Sequence, residues 1–184
     1  MQKAGDDGLS YIEGDLTVTA GGTLAVDQGT LELEYGTDIL SGLITGPGAL
    51  LIGYGASAAL GAGAVLNVAS LNLSGGSLAL GGSVTYDGSF LLDGALEAGG
   101  NTLTLTGPGT LEGAVTGGGA VILTGAAQIG VLSLSGNAPT LIDTGTVWQI
   151  GTVSASPAGS SDAMRPGRPG TSWPMSATTL TTTR

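Results

Sequence analysis

Carboxylates are the plentiful reactive groups of this chain: Asp and Glu number 14, against four Lys and Arg and no His. Three pairs of them recur at one spacing. Glu13 and Glu32, Asp15 and Glu34, and Asp93 and Glu112 each stand at i and i+19. Two chemistries follow if that spacing sets partners side by side. An outward ladder of carboxylates offers oxygens to Ca²⁺, which takes about six to eight such ligands. Glu13, Glu32, Asp15 and Glu34 are the candidates for it, because Glu32 and Glu34 flank Leu33 and point outward wherever the leucine points inward. Two carboxyls held about 5–5.5 Å apart also suit a retaining glycosidase, and Asp93 and Glu112 are the best-placed pair for that. The plainer reading is a solvated acidic face that keeps a β-protein soluble and blocks edge pairing. The calcium nonapeptide G-G-x-G-x-D is missing. No metal, cofactor or catalytic residue is therefore expected.

Other chemistries fall away by composition. With no Cys and no His, thiolate and imidazole sites are excluded, and serine has no general base beside it. The basic residues are Lys3, Arg165, Arg168 and Arg184, so nothing between Ala4 and Met164 can meet a phosphate. No nucleic-acid partner is expected on that ground, and attraction to anionic lipid is disfavoured. A polysaccharide lyase lacks the base and the charge neutralisation it would need. The glycine clusters Gly75-Gly76, Gly99-Gly100 and Gly117-Gly118-Gly119 carry no GK[ST] sequence and read as turns. Thr102, Thr104 and Thr106 form a short threonine row, but Asn72, Ala79 and Ile122 are expected beside it in place of further threonines. Asn101 and Asn137 follow glycine ahead of a strand and are expected to cap turns in the left-handed region.

The elements that must carry these residues follow from one recurring phrase: glycine, a small residue, then apolar-x-apolar. It appears as GDLTV at 14–18, GTLAV at 22–26, GTLEL at 29–33, GSLAL at 76–80, NTLTL at 101–105 and GAVIL at 119–123. Two-residue alternation is the period of a strand with one buried face. Glycine, at 36 of 184 residues, punctuates the strands, and 41% hydrophobic residues supply a core. Ala49 to Leu71 is uncharged and long enough to span a bilayer, but its glycines and polar residues argue against a transmembrane helix.

Strands this short need a repeat architecture. The row Leu31, Leu50, Leu66, Val84, Leu103, Val121 and Leu141 has spacings of 19, 16, 18, 19, 18 and 20. The turns Gly46-Pro47-Gly48 and Gly107-Pro108-Gly109 lie at an interval of 61, about three such periods. The predicted fold is all-β: a right-handed parallel β-helix (β-solenoid) of about 18–20 residues per coil, with about seven coils. A left-handed hexapeptide helix needs strict sixes, kept only by Val84, Phe90 and Leu96. A β-sandwich would carry longer strands and more aromatics than the 4% present. Residues 1–10 read as a partly disordered lead, 11–155 as the repeat body, and 156–184 as a disordered Pro/Thr/Ser tail. The abrupt change of composition near Ser156 also fits a frameshift.

AGGTLAVDQGTLEL, LSLSGGSLALGGSVTYDG and GPGTLEGAVTGGGAVILTG resemble the glycine-rich repeats of bacterial autotransporter passengers and filamentous-haemagglutinin-like adhesins. The resemblance covers residues 10–153 and brings no catalytic residue with it. It implies a β-helix displayed outside the cell, on the surface of a Gram-negative outer membrane. Its partner would be a host or neighbouring cell, through a glycan or protein receptor. Met1 to Ser10 lacks the apolar stretch of a signal peptide, and no translocator barrel follows the repeats. The family would therefore make the chain a fragment of a passenger, or of a degraded adhesin gene. Uncapped coil ends would make it self-associate.

Overall fold

The computed structural model describes residues 1–5 and 7–156, together with the backbone of 181–182. Each glycine-led phrase forms a strand, and the strands wind into eight coils. Coil one holds β1 (Gln2–Lys3), β2 (Leu9–Glu13) and β3 (Thr17–Val18), and coil two β4 (Thr23–Val26), β5 (Thr30–Glu34) and β6 (Thr37–Leu40). Coil three holds β7 (Leu43–Ile52) and β8 (Ser57–Leu60), and coil four is the single bent strand β9 (Val65–Leu80). Coil five holds β10 (Val84–Tyr86) and β11 (Ser89–Glu97), and coil six β12 (Thr102–Leu105) and β13 (Gly109–Thr116). Coil seven holds β14 (Ala120–Leu123) and β15 (Ala126–Ser135). Coil eight holds β16 (Thr140–Asp143), β17 (Thr146–Gln149) and β18 (Val153–Ala155). A last pair, β19 (Thr181–Thr182), adds to β16. The remainder of the tail expected to be disordered, and the frameshift expected there, lie outside the described residues.

The fold is an all-β parallel solenoid, without a helix among the described residues. The uncharged stretch Ala49 to Leu71 runs through β7, β8 and β9 as strand, and among the described residues no helix is long and apolar enough to cross a membrane. Strands pair with their counterparts one coil away, not with segments of their own coil. Leu50 pairs with Leu31 and Leu71, Leu103 with Val84 and Val121, and Leu60 with Leu40 and Leu80. These three rows mark three faces, called here the second, first and third in chain order.

Alternation decides what lies inside. Leu33, Ile52, Leu73, Leu92, Leu111 and Ile129 stack inward on the second face, each at most 3% exposed. Burying one such side chain is worth about 1.5–3 kcal/mol, so the apolar stack, not any single ladder, holds the rod together. Among the described residues the buried aromatics are Tyr86 and Phe90. Tyr86 reaches across the interior, where its hydroxyl lies 3.1 Å from the Val68 carbonyl and 3.0 Å from that of Ser89, and donates to them.

Two features of the register differ from the expected pattern. The row expected from Leu31 to Leu141 changes face between Leu50 and Leu66. Leu50 is followed on its own face by Leu71, a spacing of 21, and Leu66 belongs to the first face with Ile44. The odd spacing of 16 was the mark of that jump. Coil length also ranges more widely than 18–20, from 18 (Gly109 to Ala127) to 23 (Gln2 to Ala25). The extra residues sit at corners, where they lengthen a turn and leave the strands unchanged. Gln2–Lys3 and Leu9–Ser10 are strand, so the solenoid begins ahead of residue 11.

Candidate functional site

Long first coils reassign the acidic pairs. Glu13 lies beside Glu34, at i+21, and Glu32 lies beside Tyr11, so the expected pair Glu13 and Glu32 does not form. Asp15 does not face Glu34. Its carboxylate accepts the Thr37 N–H at 2.8 Å. The calcium candidates thus yield one cross-coil pair and no ladder. No group of three or more Asp and Glu able to hold a metal ion occurs among the described residues. Glu32 and Glu34 both point outward from β5, and a hydrogen bond joins them when one carboxyl is protonated. Partial burial, then the Glu34 charge and that bond, hold the Glu32 carboxyl above the usual range.

Coils five and six have the length of 19 that the spacing assumed, and there the expectation holds. Asp93 and Glu112 are direct neighbours across the ladder, which places them about 5 Å apart. The Glu112 carboxyl lies across Gly130 of the next coil, where an added Cβ would sit 2.5 Å from its Oε1. Lys3 is the one Lys or Arg among the described residues, and it lies on coil one. No described basic side chain stands near this pair to neutralise a developing charge.

A group that the sequence left scattered comes together at the corner between the second and third faces. Tyr35 of coil two and Tyr54 of coil three occupy equivalent turn positions and are 66% and 75% exposed. Each ring lies over a glycine of the following coil. A Cβ on Gly55 would meet Tyr35 Cδ1 at 2.9 Å, and one on Gly75 would meet Tyr54 Cδ2 at 3.3 Å. The Glu32 carboxylate lies over Gly53, beside Tyr54 in the chain. Tyr11, also exposed, stands next to Glu32 in register. Rings and carboxylate thus share one outer surface floored by glycine. Tyr35 adopts φ 52° to reach it, in the left-handed region that costs a non-glycine residue about 1–2 kcal/mol. The legible signal was the repeated Tyr-Gly dipeptide at 35–36 and 54–55, one period apart.

Inside the same corner is a second group. Asp38 is fully buried. Its Oδ1 accepts the Leu16 N–H at 2.9 Å, while its Oδ2 has no partner. Asp15 and Asp38 therefore make a reciprocal clasp, each carboxylate taking an amide of the other's segment. Burial raises the Asp38 pKa, the Leu16 bond lowers it, and the Asp15 charge raises it again.

The remaining candidates are structural. Thr104 stands between Thr85 and Ile122, and Thr102 beside Ala120. Asn72 and Ala79, expected next to this row, lie on the other two faces. Asn101 and Asn137 do not take positive φ; Gly99, Gly100 and Ala138 do. Asn101 instead donates from Nδ2 to the Leu80 carbonyl at 2.7 Å, bonding coil to coil. A shallow groove of about 530 Å³ follows the corner lined by Gly21, Gly22, Gly42 and Gly63, and no charged residue lines it. No family model, curated protein or solved structure matches the chain.

Proposed function

We propose that this chain is a structural and adhesive rod: a stretch of an autotransporter-type passenger, carried outside the cell on a Gram-negative surface. One observation carries the reading. The eight-coil parallel stack has a mostly apolar interior, with Asp38 as its fully buried charged side chain among the described residues, and its exposed side chains are arrayed along the outside at one-coil intervals. Such an object works by stiffness and display. The glycine-rich phrases that resemble passenger repeats support the same reading, and so does a net charge of −10, which keeps a displayed surface soluble.

The test is to place the chain between an export signal and an outer-membrane β-barrel translocator in a Gram-negative host. Protease shaving then reports display, and attachment to neighbouring cells or to an animal-cell layer reports adhesion. Attachment above that of the translocator alone is the expected result. Display without any gain in attachment overturns the adhesive half, and failure to reach the surface overturns both.

The neighbouring carboxyls Asp93 and Glu112 favour one competing reading, a glycan-cleaving β-helix enzyme. Under the rod reading, Asp93→Asn with Glu112→Gln leaves attachment unchanged and no reducing ends appear when the purified chain meets polysaccharides. Reducing ends that vanish in the double variant would replace the rod with the enzyme.

A further inference from the structure

We infer that the corner formed by Tyr11, Glu32, Glu34, Tyr35 and Tyr54 is a recognition site for an arginine-bearing polypeptide segment. The inference rests on the display reading above and gives it a partner. Three features of the corner converge on a cation. Tyrosine rings attract a cation placed over their faces. Those of Tyr35 and Tyr54 are seated on Gly55 and Gly75 and keep their outer sides open. Glu32 and Glu34 leave the same strand side by side, and planar guanidinium is the group that stacks on rings while forking onto carboxylates.

Charge decides between possible partners. The corner belongs to a surface with no Lys or Arg from Ala4 to Met164, so an acidic glycan or an anionic lipid would be repelled. A neutral glycan could stack on the rings and donate hydroxyls to the carboxylates, but it would leave their two adjacent charges uncompensated. A positive side chain uses both, and the field of the whole rod steers it in. Tyr35 is also held at a cost that packing does not explain. Tyr35 sits at positive φ where Gly75 occupies the equivalent position two coils on, at φ 74°. Glycine would fill the turn without strain, so what the tyrosine adds is its exposed ring.

The experiment uses the full purified chain and a fluorescent peptide of alternating arginine and glycine, followed by anisotropy at low and at physiological salt. Tyr35→Gly with Tyr54→Ser is expected to raise Kd about tenfold, the effect of losing two exposed cation–π contacts. Glu32→Gln with Glu34→Gln should weaken binding by a similar factor. Asp93→Asn with Glu112→Gln removes the same charge elsewhere on the rod and should change Kd less than about twofold. Equal loss from the two acid pairs, with none from the tyrosines, would reduce the site to diffuse attraction and overturn the proposal. So would absence of peptide binding, including the case where a neutral cello-oligosaccharide binds through the tyrosines. Circular dichroism checks that each variant is folded, and Tyr54→Ser alone, at a fully surface position, repeats the test if the double variant is not. Peptide binding in solution needs no cell surface, so its outcome is independent of the display assay.

Discussion

At Asp38 a carboxyl fills an inward slot that the next two coils give to Ala58 and Leu78. Parity made this legible, since Asp38 and Leu40 lie two apart in one strand and must face the same way. What the sequence hid was the clasp with Asp15, which depends on a coil of 22 residues. The cost has a definite sign. The folded chain binds the Asp38 proton more tightly than the unfolded chain does, because burial raises its pKa. The protonated form therefore contributes stability that is fully present below the ordinary aspartate range, about pH 4. That contribution is lost as pH rises from there through the raised value. Glu32 acts in the same direction. Urea midpoints should thus fall between mildly acidic and neutral pH, and Asp38→Asn, which keeps an acceptor for Leu16, should flatten that fall. An unchanged slope in the variant would remove Asp38 as its source. Tyr35 gives a second prediction at this scale. Tyr35→Gly relieves the positive φ and should stabilise the chain by about 1 kcal/mol, in contrast to its expected loss of peptide binding. A lower urea midpoint would mean that the ring packs against the rod more than its exposure indicates.

Strands were readable one by one because period-two alternation survives any change of coil length. Register was not, because it depends on corners, and a corner absorbs extra residues without disturbing the alternation on either side. Glu13 shows this: its partner shifts from Glu32 to Glu34 through two added residues. Asp93 and Glu112 were predicted correctly because β11 and β13 belong to coils of the average length. The aromatic corner was missed for a related reason. Tyr35 and Tyr54 are isolated in sequence and become neighbours only when turn positions, rather than strand positions, are aligned. A stacked array also makes the cost of a core change depend on its place. Leu73 lies in coil four with paired strands on both sides and no exposure. Leu73→Ala should lower stability by about 2–5 kcal/mol. Val153→Ala, in the last coil and half-buried, should cost well under half of that, since only one neighbouring coil covers it. Equal urea-midpoint shifts would show that the coils unfold as one unit with no weaker end.

At the scale of the molecule the described solenoid has acidic sides and two end coils, the last of which is partly covered by β19 on β16. Among the described residues, β2 and β3 at one end pair with a single neighbour each, as do β17 and β18 at the other. A parallel strand alternates residues that bond to one side with residues that bond to the other. On β18 the side facing coil seven is taken by Thr152 and Ser156, whose carbonyl and amide pair with Leu132 and Leu134. Val153 and Ala155 therefore turn their amides and carbonyls outward, toward where a ninth coil would lie. A second copy offering β3 can fill that position, and because the two ends differ, the contact is head-to-tail and extends without closing. The net charge of −10 opposes it. The ends carry backbone groups while the acids sit on the sides, so salt weakens the repulsion more than the pairing. Light scattering should show the purified chain lengthening with concentration, and more so at high salt. Ala155→Pro removes one outward amide at an exposed position and leaves the bonds to coil seven intact, so it should return the chain to monomers without lowering its urea midpoint. A monodisperse wild-type chain at high salt and high concentration would mean that these edges are already covered. Association undiminished by Ala155→Pro would move the contact from the ends to the sides, where the uncharged outward row of Thr85, Thr104, Ile122 and Ile142 is the next place to test.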